Sequence, residues 1–299
     1  MSTSRLRHHV GEAIANNSLW DPGMRVAIAV SGGLDSMCLL DLLQLTADWH
    51  GAALSVVTVD HGTGPHAVEA AALVQEHAER MELPCVRIDV SPDGTSEDAM
   101  RRARYAMLDV LNTDRIALAH HADDLAETVL LHLIRGAGTR GMGGMLWRRE
   151  RYVRPLLTTR RSELEAWATH RGLRWSQDPT NAQPRFLRNR LRAEVMPLLE
   201  TLRPGASAAI ARSAGHAAAD DAYLTTLADA LEATDLAAAP LPVARRWVLG
   251  HLPVVTSAHV DAVMDAVRQG HGMVALPRSW VVLVTKGVPV ATRRKRGGG

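Results

Sequence analysis

Residues 31–36, Ser-Gly-Gly-Leu-Asp-Ser, place two glycines, two hydroxyls and one carboxylate within six positions. They follow the apolar run Met24, Val26, Ala27, Ile28, Ala29 and Val30, and they precede the helical pattern Met37, Leu39, Leu40, Leu42, Leu43. A strand therefore feeds a Gly-rich loop that opens a helix. This setting aims backbone N–H groups and the positive end of a helix dipole at one spot, where an anion such as phosphate can sit. Gly32 and Gly33 let the backbone approach phosphate oxygens with no Cβ in the way. Ser31 and Ser36 add hydroxyl donors. Asp35 repels phosphate unless a divalent cation lies between them, so the loop predicts a nucleotide held with Mg²⁺. Two other phosphate loops do not fit. The Walker loop needs a Lys after its last Gly, and the only lysines are Lys286 and Lys295. A Gly-x-Gly-x-x-Gly at Gly136, Gly138 and Gly141 follows a helical run rather than a strand, which removes the dinucleotide-binding context.

A second chemical cluster is His120, His121, Asp123, Asp124 and Glu127. Asp124 and Glu127 are three apart, so on a helix both carboxylates share a face. They could bind Mg²⁺ or the ammonium group of an amino acid. Either Asp123 or Asp124 also suits the N-terminus of a helix as a cap, a role that leaves Glu127 and the histidines unexplained. A His at a strand end is a candidate base or phosphate donor, and His120 is the stronger of the two. Arg101 and Arg104, also three apart, are candidates for phosphate contact, with pairing to Glu97 or Asp98 as the alternative.

The elements that must position these groups alternate. Strands are predicted at Arg25–Val30, Leu54–Asp60, Val86–Val90 and Arg115–Ala119, each a short apolar run between polar residues. Helices are predicted at Asp35–Trp49, His66–Glu82 and Ser96–Asn112, with Ser96 as an N-cap. This order predicts an α/β fold with a doubly wound parallel sheet, whose ligands bind beyond the carboxyl ends of the strands. Ser31-Gly32-Gly33, Asp60-His61-Gly62 and His120-His121 end three of the strands and so meet at one rim. Farther on, helices are predicted at Arg161–Arg171 with Ser162 as cap, and at Phe186–Leu199 as a basic helix stopped near Pro197. Pro204-Gly205 predicts a boundary between residues 1–203 and a smaller, mainly helical domain at 204–292. Within it, helices are expected at Ala206–Leu236, Pro240–His251 and Ser257–Gly270, and strands at Trp280–Val284 and after Gly287. A basic, Gly-ended tail at 293–299 is expected to be disordered.

Composition narrows the class. The chain of 299 residues is 46% hydrophobic, enough for real cores, and no apolar run is long enough for a membrane span. Residues 1–17 carry charges and His and lack the apolar segment of a secretory signal. Two cysteines, Cys38 and Cys85, form no Cys-x-x-Cys pair, which argues for reduced thiols in the cytoplasm and against zinc ribbons and iron–sulfur clusters. A net charge of +2 conceals an uneven distribution. Residues 1–134 hold 9 Lys/Arg against 19 Asp/Glu, and residues 135–203 hold 15 against 6. A basic stretch beside an acidic half points to nucleic acid as a partner.

The Ser-Gly-Gly-x-Asp-Ser loop resembles that of enzymes that split ATP into AMP and pyrophosphate while adenylating a carbonyl oxygen. With Asp60-His61-Gly62, Arg101 and Arg104-Tyr105, AHHADDLAET at 119–128, RGAGTRGMGGM at 135–145, RPLL at 154–157, WSQDPTN at 175–181 and FLRNRLR at 186–192, the chain resembles the tRNA(Ile)-lysidine synthetase family over about residues 25–200. The resemblance implies ATP and Mg²⁺ as cofactors, and a tRNA(Ile) with a CAU anticodon and L-lysine as partners. ATP would adenylate the C2 carbonyl of the wobble cytidine, and the lysine ε-amine would displace AMP to give lysidine. By that resemblance Ser31, Gly32, Gly33, Leu34 and Ser36 hold the nucleotide with Asp60, His61, Arg101 and Gly136, while Asp35 holds Mg²⁺. His120, Asp124, Glu127 and Arg192 serve the reaction, and Arg188, Arg190 and Arg192 contact tRNA. Thr63-Gly64 and Leu125 depart from the family, which often has Arg after His-Gly-Leu and usually has Gln after the paired Asp. The sequence leaves a homodimer open. The alternative is a tRNA thiolase or another ATP-splitting ligase with a related loop.

Overall fold

The structure, a computed structural model, describes residues 3–60, 65–89, 97–177 and 187–294. Its residues fall into two compact units, Met1–Gly215 and His216–Gly299. The first unit opens with α1 (Thr3–Asn16), β1 (Arg25–Ala29), α2 (Leu34–Leu45), α3 (Ala47–His50) and β2 (Ala53–Asp60). Next come α4 (Pro65–Arg80), β3 (Cys85–Asp89), α5 (Glu97–Asp109), β4 (Arg115–Ala117) and α6 (Ala122–Ile134). A helical turn α7 (Thr139–Met142), the hairpin β5 (Arg148–Arg149) and β6 (Tyr152–Val153), and α8 (Arg161–Arg171) complete the layered part.

The sheet order is β3-β2-β1-β4-β6-β5, parallel except for β5. The chain moves outward from β1 to β3 and then crosses to β4 on the other side of β1. The strand order therefore reverses between β1 and β4, and a crevice opens there beyond the carboxyl ends of both strands. The Ser31–Ser36 loop leaves β1 and His120-His121 leave β4, so topology alone brings the two chemical clusters to one rim.

The main core lies on one face of this sheet, where α1, α2, α4 and α8 bury Val10, Val26, Ile28, Leu39, Leu42, Val74 and Leu164 among others. Helix α2 is buried nearly all round, which leaves Asp41 with only 2% exposure. A buried carboxylate needs partners. Asp41 accepts hydrogen bonds from Trp167 Nε1 at 2.9 Å and from the Arg171 fork at 3.1 and 3.1 Å, which ties α8 to α2. His50 is buried beside Trp20 and uses both ring nitrogens. Nδ1 accepts from the Ala52 N–H at 3.1 Å, so Nε2 carries the proton and donates to Leu43 O at 3.0 Å. Burial pushes its pKa down.

Several local expectations change. Strands β5 and β6 were not expected in the Arg-rich stretch; each is two residues long, and Tyr152 and Val153 are buried against β4. Ser162 is not the cap of α8. The helix spans the expected Arg161–Arg171, Arg160 is its N-cap residue, and the Glu163 carboxylate accepts from the Arg160 N–H at 2.9 Å. The single basic helix predicted at 186–199 is a short α9 (Leu187–Arg190), a π-helical turn (Leu191–Val195) and α10 (Met196–Leu202). Pro197 does not stop it. Proline sits at the start of α10, directly after the π-helical turn, and the helix runs on through it.

Helix α11 (Ala206–Asp229) starts just past Pro204-Gly205. In the second unit, α12 (Leu241–His251) and α13 (Ser257–Gln269) precede an antiparallel sheet of β7 (His271–Ala275), β8 (Trp280–Thr285) and β9 (Val288–Arg293). Strand β7 was not expected. Arg293 belongs to β9, and the rest of the predicted tail beyond Arg294 lies outside the described residues. Among the described residues, no helix is long and apolar enough to cross a membrane.

Candidate active site

The loop after β1 is shaped by residues that only this sequence pattern supplies. Gly32 has φ +82°, and a Cβ there would lie 2.9 Å from Ala70 Cβ and 3.0 Å from Ala70 O, so both its backbone conformation and its contact with α4 require glycine. Gly33 starts α2 without a side-chain cap, which leaves first-turn N–H groups facing the loop. Ser36 is 5% exposed; its hydroxyl donates to Gly33 O at 2.9 Å and accepts from the Ser31 N–H at 3.2 Å. Ser36 thus holds the turn closed rather than offering its proton outward. The Leu34 side chain is in the core, so this residue can meet a ligand only through its backbone. Ser31 is exposed. Downstream, the Ser176 N–H donates to Gly32 O at 2.8 Å and clamps the loop from outside. A groove of about 770 Å³ between α4 and residues 173–177, lined in part by Glu69, Leu73, Glu76 and Trp175, borders the loop at that clamp.

The second cluster folds toward the first. His121 caps α6 reciprocally with Asp124. The His121 N–H donates to Asp124 Oδ2 at 3.1 Å, and the Asp124 N–H donates to His121 Nδ1 at 3.4 Å. Asp124 therefore does have the capping role considered from sequence, through Oδ2, while its second oxygen, Oδ1, accepts from Arg192 Nη2 at 2.8 Å. With Nδ1 accepting, Nε2 carries the proton, and it lies 3.4 Å from Asp124 Oδ2 and 3.7 Å from Asp35 Oδ2. One buried imidazole thus joins the carboxylate of the loop to the carboxylate of α6. Burial works against its charge, but the carboxylates of Asp35, Asp124 and Asp123 around it prevail and raise its pKa. Burial likewise works to raise the pKa of Asp124, and His121, His120 and Arg192 outweigh it, so this carboxylate is held below its usual range.

Glu127, one turn along α6 and 2% exposed, faces a fork. Arg192 Nε donates to Glu127 Oε1 at 2.6 Å and Nη2 to Oε2 at 2.9 Å, while Nη2 also reaches Asp124 Oδ1 at 2.8 Å. Arg188, four residues earlier and so on the same side, donates to Thr128 Oγ1 at 2.6 Å and lies 3.3 Å from Glu127 Oε2. The guanidinium of Arg188, expected from sequence to contact tRNA, is thus engaged by α6. Arg190 is exposed and forks onto Glu194 at 3.1 and 3.1 Å.

Asp35, Asp124, Glu127 and Arg192 are thus brought together in space. Gly136 is not. It lies two residues past the C-terminal end of α6, whose last residue is about 15 Å along the axis from Asp124 at 1.5 Å per residue. The side chains of Asp60, His61, Arg101 and Arg104, and the cap residue Ser96, lie outside the described residues. Sequence reasoning favoured His120, whereas His121 makes the bridge. It also missed Arg161, whose Nη1 lies 3.1 and 3.4 Å from the two Asp35 oxygens. The only sequence signal for Arg161 was its place at the start of a helix that packs beside α2.

The model for the PP-loop domain matches residues 3–199. The chain belongs to the PP-loop family. Among curated proteins, a tRNA(Ile)-lysidine synthase of Pseudomonas fluorescens is 39% identical over 262 residues, which cover 85% of this chain and 58% of that relative. One of Geobacter sulfurreducens is 40% identical over 233 residues, covering 72% and 48%. The chain spans about half the length of the curated relatives it matches. Among solved structures, a U34-tRNA thiolase from Methanococcus maripaludis superposes with a TM-score of 0.58 at 18% identity, covering 71% of this chain and 78% of that one, a likeness of fold.

The PP-loop residues fit a nucleotide with one divalent cation. Mg²⁺ commonly takes one or two carboxylates and completes its shell with phosphate oxygens and water, so Asp35 alone beside the loop suffices. No group of three His, Cys, Asp or Glu residues suited to an all-protein cage exists among the described residues.

Proposed function

We propose that this PP-loop chain is the catalytic part of a tRNA(Ile)-lysidine synthetase. It would use ATP and lysine to convert the wobble cytidine of the CAU anticodon to lysidine, releasing AMP and pyrophosphate. The observation that carries the reading is the acidic pair Asp124–Glu127, bridged by Arg192, with Asp124 joined through His121 to the loop carboxylate Asp35. A nucleotide-splitting loop alone needs no buried acidic pair across the crevice; a reaction that also binds an ammonium group does. The relatives' names and the basic stretch at 135–203 support the same substrates.

In this reading the backbone of residues 31–35 holds the phosphates. Asp35 would hold Mg²⁺, which neutralises phosphate charge and polarises the phosphorus under attack. Asp124 and Glu127 bind the lysine ammonium. Arg192 and lysine compete for the same oxygens, so lysine binding turns Arg192 outward, toward the tRNA. The ε-amine has a reference pKa of about 10.4 and must lose its proton before attack. Exclusion of water between α6 and the loop strengthens these charge interactions. A tRNA substrate implies work in the cytoplasm.

The thiolase reading gains little. The matching thiolase structure carries a [4Fe-4S] cluster, whereas this chain has two cysteines in all. Cys38 is buried and donates to Leu164 O at 3.4 Å, and burial with the nearby Asp35 and Asp41 pushes its pKa up to about 12. Such a thiol is a poor nucleophile.

The test is AMP release with tRNA(Ile) bearing CAU, with and without lysine, and mass analysis of the tRNA product. Lysine-dependent AMP release with a tRNA mass gain matching lysidine is the expected result. AMP formation that ignores lysine, or sulfur transfer to the tRNA, would remove the proposal.

A further inference from the structure

Arg161 is the unexplained cation of the site. It opens α8, far from the loop in sequence, and three of its groups are engaged at once. Its backbone N–H donates to Asp123 Oδ2 at 2.8 Å, which pins the start of α8 to the start of α6. Nε donates to Glu165 at 3.2 Å along its own helix. Nη1 reaches across to both oxygens of Asp35. The pinned backbone fixes where the side chain starts, and the side chain is 44% exposed, so its guanidinium can turn. A pair this open adds little to stability, which leaves its position against the loop carboxylate without a structural reason.

The charge balance supplies one. Asp35 is the second residue of α2, in the same turn that presents N–H groups to phosphate. While no cation is bound, the Arg161 guanidinium balances it, beside the His121 N–H. A divalent cation on Asp35 takes over that charge and repels the guanidinium, which is already within one side-chain swing of the phosphate cradle. Polyphosphate is the strongest nearby acceptor, and Arg binds it through a planar fork.

The geometry points to Arg161 as a pyrophosphate-binding residue that exchanges between Asp35 in the empty site and the leaving group in the loaded one. This rests on the proposed ATP-splitting reaction and extends it to departure of the product. As the bond from the cytidine C2 oxygen to the α-phosphorus forms, the bond from that phosphorus to the bridging oxygen breaks. Its electron pair goes to pyrophosphate, where two Arg161 N–H groups receive the new charge.

The experiment compares the unaltered protein with Arg161→Ala and Arg161→Lys. Binding of inorganic pyrophosphate with Mg²⁺, and separately of AMP, is measured by titration calorimetry without tRNA or lysine, and the thermal midpoint of each protein is recorded. Loss of hydrogen bonds to a charged ligand predicts a roughly 10- to 100-fold weaker pyrophosphate affinity for Arg161→Ala, with AMP affinity and midpoint unchanged. Arg161→Lys keeps the charge without the fork and recovers part of it. Unchanged pyrophosphate affinity overturns the proposal, as does an equal loss for AMP and pyrophosphate, which marks a structural role. An unaltered protein that binds no Mg²⁺-pyrophosphate overturns it as well. Failure of the tRNA reading is seen elsewhere, in lysine-independent AMP release.

Discussion

The two acidic centres of the crevice carry the same kind of charge in opposite settings. Asp35 is 27% exposed and is met by one guanidinium nitrogen and an imidazole at a distance. Glu127 is 2% exposed and held by the full fork of Arg192, with Arg188 behind it. A half-exposed, single-point pair is cheap to open, whereas a buried carboxylate deprived of its fork has nowhere to place its charge. The loop end of the site is therefore built for exchange of partners. The α6 end holds a fixed shape, one that in the proposed reading would yield only to a substrate that replaces the arginine.

Substitutions at the two ends should separate chemistry from stability. The largest effect is expected for Asp35→Asn, which should reduce AMP formation by roughly three orders of magnitude if the carboxylate holds the metal, while urea unfolding changes by less than about 1 kcal/mol. A variant with normal turnover would show that the loop end needs no charge. Arg192→Ala should instead unfold with about 3 kcal/mol less stability, because Glu127 stays buried with Arg188 alone. A stability loss under about 1 kcal/mol would place the two centres in one class. Gly32→Ala tests the loop itself. The positive φ and the contact with Ala70 predict a destabilisation of about 2 kcal/mol, read from the same unfolding curves.

Two buried histidines sharpen the contrast through pH. His121 has a raised pKa among carboxylates, so its contribution is present below the unfolded value of about 6.5 and is lost as pH rises through the folded value. His50 has a lowered pKa, so the folded protein resists its protonation, and stability falls as pH drops from about 6.5 toward the folded value. His121→Asn should flatten the alkaline side of a stability-against-pH curve and His50→Asn the acid side; the reverse pattern would contradict the packing described. The smallest effect is expected for the arginines outside the pair. Arg190→Ala should reduce the slope of log tRNA affinity against log salt by about one unit, whereas Arg188→Ala, already engaged by Glu127, should leave that slope nearly unchanged.

Much of this arrangement is visible in the chain as written. The apolar runs before Ser31 and His120 are strong strand signals, and a βαβ order with right-handed crossovers leaves few places for their ends. Asp124 and Glu127 are legible because helical spacing alone puts them on one face. Arg192 is legible only through the family pattern. What stayed hidden depends on contacts distant in sequence. Strands β5 and β6 are too short to show a period, and only burial against β4 selects them. The π-helical turn at 191–195 overrides a sequence that reads as one continuous helix. The choice between His120 and His121 depends on which side chain the reciprocal cap of α6 draws inward. Arg161 gains meaning only once α8 is laid along α2, an outcome of Trp167 and Arg171 converging on Asp41.

The bond from the Ser176 backbone to Gly32 has a consequence for synthesis. The ribosome delivers residues 31–36 early, yet the outer wall of their turn is a peptide group that emerges 144 positions later. A nascent chain still short of that point has the anion-binding motif without its brace. In the proposed reading, the outer wall of the nucleotide site would be completed only once the layered unit has been made nearly in full.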